Sequence, residues 1–244
     1  MASERDVWDM WAKEKHGSQA VMMTSGPISK YRDFIERRAL VGLLSKEIEN
    51  GSKIIEAGCG NGRWMKRLIG LGFNDVFGFD FSKELVSMAK RDNGNRCSVM
   101  DMYNIGLRNG VFDVALLLQV IPHGDADKLE SVMLGVDRLL KGRAKIILMD
   151  EFPKKDVKEL SSMLSKKGYH LKTVRNVRSE AFHRIFGAFT KPTRLRAPVP
   201  ESGYAKTSLK HYVKILFELP VDILLSPFLK DTDLFLEKVL VFER

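Results

Sequence analysis

The sequence predicts an α/β fold in which a doubly wound, mainly parallel sheet carries helices on both faces. Two observations predict it. Short apolar runs alternate along the chain with segments of helical periodicity, a pattern typical of parallel strands joined by crossover helices. A glycine-rich stretch, KIIEAGCGNGRW at residues 53–64, continues directly from the first such run. Sheets of this type bind ligands at the carboxyl ends of their strands, where this stretch lies.

The alternation defines seven strands and the helices that connect them. The expected strands are residues 53–58, 74–80, 96–101, 112–119, 144–151, 170–178 and 237–244. The expected helices are residues 31–50, 61–72, 82–93, 128–141, 155–168 and 208–230. The fourth strand is apolar throughout, which favours a central position in the sheet. A chain of 244 residues accommodates these elements in one domain.

Composition and charge exclude several classes of protein. A hydrophobic content of 44% suits a globular protein, and no run of about eighteen apolar residues suggests a membrane span. The charged N-terminus does not resemble a secretion signal, and the two cysteines suit a reducing compartment, so we expect a cytoplasmic protein. The net charge of +9 is concentrated between Lys172 and Lys214, where ten basic residues accompany two acidic ones.

The glycine stretch has the pattern Glu56-x-Gly58-x-Gly60-x-Gly62. Neither the phosphate-binding pattern GxxxxGK[ST] nor the dinucleotide pattern GxGxxG fits, since Arg63 occupies the position where each requires its next glycine. The missing Cβ atoms let the backbone turn sharply against a ligand, while the carboxylate of Glu56 would repel a pyrophosphate. The stretch therefore suits a ligand with a positive end, such as the ammonium and sulfonium of S-adenosylmethionine.

Groups that suit the rest of that molecule follow at the ends of the second and third strands. Asp80 can accept hydrogen bonds from both ribose hydroxyls, and Asp101 can accept one from the adenine amino group. Phe81 and Met102, next to these acids, can flank the adenine ring. Each acid also has a simpler interpretation, Asp80 as a cap of the following helix and Asp101 as a turn residue.

With these residues in register, the chain resembles the class I S-adenosylmethionine-dependent methyltransferases over roughly residues 31–170. The segment Glu56 to Gly62, Asp80 and Asp101 match the cofactor motifs of that family. The turn KGRA departs from the family's LKPGG, because a proline and a glycine are missing. The resemblance implies a seven-stranded sheet with an antiparallel last strand, S-adenosylmethionine as the cofactor and methyl transfer as the reaction.

Methyl transfer needs an aligned acceptor and, for an oxygen or nitrogen nucleophile, a base that takes its proton. The run FDVALLLQVIPH resembles the family's fourth strand, with Gln119 on the cofactor side and His123 a few residues beyond. We expect the base to be His123 or Glu151, which follows the fifth strand, although His123 could equally cap the turn at Gly124. Cys59 is interpreted as a small buried side chain, and no metal-ligand cluster is visible.

Acceptor recognition is expected in an insertion at residues 172–230, between the sixth strand and the last. Its arginines and phenylalanines favour a small anionic molecule, with RNA or protein as the alternative and a solvated basic surface as the simplest interpretation. The expected acceptor-binding residues are His183, Arg194, Arg196 and His211. The other expected divisions are an N-terminal helical lid at 1–50, a cofactor-binding core at 51–171 and the last strand at 231–244.

The helix expected at 208–230 has one polar line, with a polar residue every four positions, and is otherwise apolar. This pattern predicts burial on most of its surface, with a kink or break at Pro220 and Pro227. The first interpretation is a lid packed on the core. A homodimer contact is the second, and peripheral docking on an anionic membrane, beside a lipid-linked substrate, is the third.

The sequence thus predicts an S-adenosylmethionine-dependent methyltransferase that acts on an oxygen or nitrogen of a small anionic metabolite, sugar or lipid-linked compound. Methylation of RNA or protein through the basic 172–214 segment is the alternative. A cofactor-binding scaffold without efficient catalysis is the third hypothesis, against which the complete cofactor motif argues.

Overall fold

The structure is a computed structural model that describes residues 3–15, 19–22, 26–179, 209–226 and 235–244. The strands are β1 (Ile54–Ala57), β2 (Val76–Asp80), β3 (Cys97–Val99), β4 (Phe112–Leu118), β5 (Leu140–Glu151), β6 (His170–Ser179) and β7 (Phe235–Glu243). The helices are α1 (Glu4–Glu14), α2 (Gln19–Met22), α3 (Gly26–Glu47), α4 (Arg63–Gly70), α5 (Lys83–Asn93), α6 (Ala126–Asp137), α7 (Lys154–Ser165) and α8 (Leu209–Leu224). None of the helices in these ranges is long and apolar enough to cross a bilayer.

The described strands form one seven-stranded sheet in the order β3-β2-β1-β4-β5-β7-β6. β7 runs antiparallel to its neighbours β5 and β6, and the other neighbouring strands are parallel. The predicted fold class, including the antiparallel last strand, is confirmed. The chain order reverses between β1 and β4, so the loops that follow these two strands border the crevice where such sheets bind ligands.

Apolar side chains cover both faces of the sheet. On one face Leu40 of α3 and Trp64 of α4 belong to a cluster that includes residues of β1 and β4. On the other face Val136 of α6 and Leu160 of α7 pack in a second cluster. β4 contributes to both clusters and is buried along almost its whole length, as its uniformly apolar sequence predicts. The sheet therefore has the two helical layers of a doubly wound fold.

Several element boundaries differ from the sequence-based expectation. α3 begins at Gly26 and not at Tyr31. The KGRA turn is part of β5, where the pairing with β4 shifts register between Phe112 and Val114, so the extra residues form an irregular start of the strand. α8 continues past Pro220, where a kink or break was expected. Pro220 lies on the exposed side of the helix, where water can satisfy the carbonyl group that has lost its N–H partner.

The orientation of α8 contradicts the expectation that most of its surface is buried. Glu218 and Asp222, in its polar line, are 0% and 1% exposed, so the polar line faces the protein. The opposite side of the helix is apolar and exposed, with Leu216 77% accessible. The reason is that the protein presents polar partners to α8, so that pairing of buried charges outweighs burial of leucine.

One of these partner sets holds α8 against α3 and β6. The carboxylate of Asp222 accepts a hydrogen bond from the backbone N–H of Ser179 at 2.7 Å and another from the hydroxyl of Tyr31. Burial raises the pKa of Tyr31, and the negative charge of Asp222 raises it further, so the hydroxyl keeps its proton and donates. Asp222 thereby joins three elements that are distant in sequence.

We expect Tyr31→Phe to lower the free energy of unfolding by about 1–3 kcal/mol, because the change leaves a buried carboxylate with one donor fewer. Urea unfolding monitored by circular dichroism measures this difference. Tyr212→Phe is the matched control, since that tyrosine is 54% exposed on the outer side of α8. Equal stabilities of the two variants would contradict the role assigned to the Tyr31 hydroxyl.

Candidate active site

The glycine loop between β1 and α4 has a backbone conformation that other residues rarely adopt. Gly58, Gly60 and Gly62 have φ angles of 72°, 54° and 75°, all in the left-handed region. The loop is also closely surrounded. A Cβ atom on Gly58 would lie 2.5 Å from Cγ1 of Val120, and one on Gly62 would lie 2.4 Å from Nδ2 of Asn93. Both the backbone angles and the space therefore require glycine at these positions.

Asp80, at the end of β2, holds this loop in place. Its carboxylate accepts hydrogen bonds from the backbone N–H of Gly60 and of Ser82, each at 2.9 Å. Burial raises the pKa of Asp80, although these hydrogen bonds oppose the shift. The side chain of Ser82 caps α5 through Leu85, so the capping role considered for Asp80 belongs to its neighbour. The backbone N–H of Phe81 also opposes the shift, and the carboxylate of Asp80 has acceptor capacity left for a further donor.

Glu56 is a buried carboxyl group next to the glycine loop. It is buried behind the loop, and burial raises its pKa to about 8, against the attraction of Arg63. The nearby charges of Cys97 and Asp80 add to the shift. Its Oε2 atom has no hydrogen-bond partner among the described residues. A cation brought to this position would restore the carboxylate, so the group fits a positively charged ligand.

The acid expected after β3 lies in a turn. β3 ends at Val99, two residues earlier than expected, and Oδ1 of Asp101 accepts from the backbone N–H of Tyr103 at 3.0 Å. The backbone N–H of Met100 donates to the carbonyl oxygen of Asp80 at 2.9 Å, which brings the two acidic segments together. Met102 packs against the cluster below α6. Phe81 is half-buried next to Asp80.

Gln119 follows β4 in a strained conformation. Its φ of 63° is in the left-handed region, which is uncommon for a residue with a side chain. Its backbone N–H donates to the carbonyl of Met149 at 2.6 Å, and its Nε2 donates to Oε1 of Glu237 at 2.9 Å. Such strain occurs most often at functional sites and points to this corner of the sheet as one.

Glu237 also belongs to a row of charges at the same edge, in which it and Arg178 are buried and Glu151 is partly exposed. Glu151, Glu237 and Arg178 face one another on β5, β7 and β6. The guanidinium of Arg178 donates to Oε2 of Glu237 at 2.8 Å and to Oε1 of Glu151 at 3.1 Å. Burial alone would raise the pKa of Glu237, but the arginine outweighs it and lowers the pKa. Glu151, one of the expected bases, is thus the partner of an arginine.

A second group of buried charges lies beside this row on α3. Arg63 donates to Oε2 of Glu36 at 2.6 Å and to Oδ1 of Asp33 at 2.8 Å. Arg32 is 5% exposed, and its Nε atom has no partner among the described residues. Burial lowers the pKa of Arg32, and the negative charge of Glu237 opposes the shift. α3 therefore presents a desolvated guanidinium close to the carboxyl edge of the sheet.

His123 lies beyond β4 beside a carboxylate that the sequence analysis did not select. Its Nε2 atom is 3.0 Å from Oδ1 of Asp150, near the end of β5. Asp150 itself is fixed by the backbone N–H groups of Ile121 at 3.0 Å and Glu151 at 2.8 Å. The ring centroid of His123 is 6.0 Å from that of Phe152. A histidine and an aspartate therefore lie within ion-pair distance at the ends of two adjacent strands, where the histidine is a quarter exposed.

The structure brings most of the expected cofactor-binding residues to one edge, whereas several expected acceptor-binding residues are outside its range. Residues 56–62, Asp80 and Gln119 lie at the carboxyl ends of three neighbouring strands, β1, β2 and β4. His183, Arg194 and Arg196 lie outside the described residues, and of His211 only the backbone is described. Their roles stay predictions. Cys59 is buried, as interpreted.

The basic segment is partly neutralised where it is described. Lys172 pairs with Glu47 and Glu243, each at 2.9 Å, near the opposite edge of the sheet. Arg178 is paired as described above, and Nζ of Lys214 lies 3.8 Å from Oε1 of Glu218. In this described part, the charge excess read from the sequence is therefore not simply an open basic surface.

Asp150, Arg178, Glu237 and Arg32 were not among the site residues predicted from the sequence. Asp150 and Glu237 adjoin apolar runs of β5 and β7, which was the available signal, whereas Arg178 and Arg32 lie among other polar and charged residues and carried none. A charge at the carboxyl end of a buried strand needs a partner, and in a parallel sheet that partner lies at the end of a neighbouring strand. Which neighbour it is depends on strand order, which the sequence did not specify.

The comparisons with known proteins agree with this geometry. Residues 55–148 match the family model of a methyltransferase domain. A relative from Bos taurus, described as an eEF1A lysine and N-terminal methyltransferase, is 27% identical over 106 residues, which is 41% of this chain. The chain spans only 15% of the length of that relative.

Two solved structures show the same fold over nearly the whole chain. Magnesium protoporphyrin IX methyltransferase from Synechocystis PCC 6803, with bound S-adenosylmethionine, is 15% identical with a TM-score of 0.60, covering 98% of this chain and 94% of that one. A chain of the complex between the Haloferax volcanii Trm112 methyltransferase activator and its methyltransferase partner is 15% identical with a TM-score of 0.58, covering 99% and 97%. The domain match over residues 55–148 and the shared fold agree with the resemblance to class I S-adenosylmethionine-dependent methyltransferases that the sequence predicts.

The raised pKa of Glu56 predicts how stability depends on pH. Its ordinary value is 4.5, so between about pH 5 and pH 8 the folded protein retains a proton that the unfolded chain has lost. The contribution of Glu56 to stability therefore falls as pH rises, by at most about 1.4 kcal/mol per pH unit. Glu56→Gln remains neutral at every pH, and we expect its unfolding free energy to decrease less steeply with pH.

Urea unfolding of both proteins at several pH values across this range provides the test. The other buried acids are unchanged in the variant, so the difference between the two slopes isolates Glu56. Parallel curves for the two proteins would mean that this carboxyl group titrates normally in the folded state.

Proposed function

We propose that this protein is a class I methyltransferase that transfers a methyl group from S-adenosylmethionine to a nitrogen or oxygen of an acceptor bound at the carboxyl edge of β4 and β5. The observation that carries the proposal is the His123–Asp150 pair, whose Nε2 and Oδ1 atoms are 3.0 Å apart on the rim that follows these strands. The loop after β4 also contacts the glycine loop through Val120 and Gly58. A base and a cofactor loop are therefore adjacent.

The cofactor would lie across the glycine loop. The left-handed backbone of Gly58, Gly60 and Gly62 forms the sharp turn that would lie against it. Glu56 supplies the negative charge for the methionine ammonium, and the free acceptor positions of Asp80 bind the ribose hydroxyls.

The adenine end would meet the next two strand ends. Asp101 has Oδ2 available for the adenine amino group, and Phe81 and Met102 border the ring. Val21 of α2 lies where a Cβ on Gly60 would point, at 2.7 Å, and α1 is joined to α5 where Asp9 accepts from the hydroxyl of Ser82. These contacts support the expected helical lid at residues 1–50.

The bound cofactor supplies a methyl group already activated by the sulfonium. The residues of this chain then have three tasks: to align the acceptor, to exclude water and to accept a proton. Alignment of this kind can contribute roughly 7–11 kcal/mol. His123 accepts the proton of the attacking nitrogen or oxygen, and Asp150 holds the imidazole in position and stabilises it once protonated. General-base catalysis contributes about 10²–10⁴-fold.

The first candidate acceptor is a small anionic compound. Arg32, desolvated and with Nε unpartnered among the described residues, can bind an anionic group beside Gln119 and Glu237. Arg194 and Arg196 are the further candidates from the sequence. An acceptor anion near Arg32 would accept a hydrogen bond from its Nε, which has no partner among the described residues.

Protein methylation is the second candidate, and one observation favours it. The relative from Bos taurus is described as an eEF1A lysine and N-terminal methyltransferase. A lysine or N-terminal amine must lose a proton before it can attack, which is the step assigned to His123. RNA is the other alternative acceptor that the basic 172–214 segment suggests.

We expect His123→Asn to lower kcat by about 10²–10⁴-fold while the dissociation constant of S-adenosylmethionine stays within twofold or so. Asp80→Asn should do the reverse and weaken cofactor binding by about tenfold or more, because it replaces a charged acceptor by a neutral one. Calorimetry measures the affinity, and transfer of labelled methyl groups to cell-extract fractions measures turnover.

Two results would contradict the proposal. If His123→Asn left both kcat and its pH profile unchanged, His123 would not be the base. If Asp80→Asn bound the cofactor as tightly as the parent protein, the ribose role of this acid would be wrong.

Two measurements distinguish the acceptor classes: the fraction in which the labelled methyl groups are recovered, and the dependence of the acceptor KM on salt. We expect Arg194→Ala with Arg196→Ala to raise the acceptor KM, and this effect should diminish as salt increases, since exposed charges are screened over about 8 Å at physiological ionic strength. Label recovered in small molecules supports the first candidate, and label that remains with protein after nuclease treatment supports the second. An unchanged KM would remove these two arginines from the acceptor site.

A further inference from the structure

The outer side of α8 is an apolar surface that the methyltransferase mechanism does not use. Its exposed members share one side of the helix and its C-terminal turn: Tyr212, Val213, Leu216, Pro220, Leu224 and Leu225. The acidic residues of the helix, Glu218 and Asp222, point the other way and are 0% and 1% exposed. Helices of globular proteins usually place the apolar side inward, so this arrangement marks an interaction surface.

Positive charges border this surface. Nη2 of Arg38 donates to the carbonyl oxygen of Ile223 at 3.1 Å, which places its guanidinium at the C-terminal end of α8. Arg175 on β6 lies close to Arg38, and no described carboxylate forms an ion pair with either. The exposed charged side chains of α3, which packs beside α8, are all basic: Lys30, Arg37, Arg38 and Lys46.

We propose that the outer side of α8, bordered by Arg38 and Arg175, inserts into the headgroup region of an anionic lipid bilayer. Apolar side chains flanked by arginines are the combination that binds peripherally to such surfaces. The helix would lie in the membrane plane and not cross it. The proposal does not depend on which acceptor is methylated.

Two other occupants fit the surface less well. A symmetric pair of chains would place each patch against its own copy, so that Arg38 and Arg175 of one chain would approach those of the other. A protein partner normally forms about one hydrogen bond per 100–200 Å² of interface. Apart from its arginine border, the described part of this surface offers the hydroxyl of Tyr212 and the backbone carbonyl freed by Pro220, whereas the headgroup region of a bilayer requires few directional partners.

The position of α8 beside the candidate active site suggests what membrane binding would achieve. Asp222, on the inner side of α8, accepts from the backbone N–H of Ser179 at 2.7 Å. Ser179 follows Arg178, which belongs to the charged row at the carboxyl edge. Only the thickness of α8 separates this edge from the proposed lipid surface, so an acceptor with an apolar portion would be presented from the bilayer.

Flotation of the full chain with lipid vesicles tests the proposal. We expect binding to vesicles of mixed phosphatidylglycerol and phosphatidylcholine and little binding to phosphatidylcholine alone. Leu216→Glu should reduce vesicle affinity by about tenfold or more, since it puts a charge in the centre of the inserted surface. Arg38→Gln with Arg175→Gln should reduce it by about fivefold for each arginine removed.

Leu134→Glu on α6 is the matched control, because that leucine is 41% exposed on a different surface and should leave binding unchanged. Leu224→Glu repeats the test at a second exposed position, and circular dichroism checks that each variant is folded. Three outcomes would overturn the proposal: no binding of the parent protein to anionic vesicles, binding that Leu216→Glu and Leu224→Glu leave intact, or a dimer in light scattering that Leu216→Glu dissociates while vesicles bind neither form.

Discussion

Three left-handed glycines at the junction of β1 and α4 are the constraint on which the rest of the carboxyl edge depends. Because no Cβ atom projects from them, four other segments can approach the loop. They contribute the carboxylate of Asp80, the side chain of Val120, Nδ2 of Asn93 and the methyl groups of Val21. A larger residue in the loop would displace whichever segment it faced. The candidate site is therefore assembled around a backbone conformation, and long side chains play a secondary part.

The pairing of buried charges determines the arrangement at the ends of β5, β6 and β7 and the orientation of α8. Removing a carboxylate or a guanidinium from water is costly unless the charge is paired, so the ends of β5, β6 and β7 are matched through Arg178. The same requirement orients α8 with its polar side towards the protein, because Asp222 is stabilised there by Tyr31 and Ser179. The exposed leucines of α8 are the consequence. The proposed acceptor site and the proposed lipid-binding surface thus lie on opposite sides of α8, and both follow from the pairing of its buried acidic residues.

Local patterns in the sequence predicted the fold and the position of the glycine loop well. The seven strands follow from short apolar runs, and the loop from Glu56 to Gly62 follows from glycine spacing, since both are properties of neighbouring residues. The prediction failed where partners are distant in sequence. The pairing of His123 with Asp150 depends on β4 and β5 being adjacent, and the orientation of α8 depends on contacts with α3 and β6.

The sequence by itself determined the alternation of strands and helices, the position of the glycine loop and the acids that follow β2 and β3. These features follow from hydrophobic periodicity and from backbone angles that only certain residues adopt. Tertiary structure alone decided which histidine meets a carboxylate, that Glu151 is the partner of Arg178, and that the polar side of α8 faces inward. Each of these depends on the local dielectric and on the nearest opposite charge, and both are set by residues far along the chain that the packing of the sheet brings together.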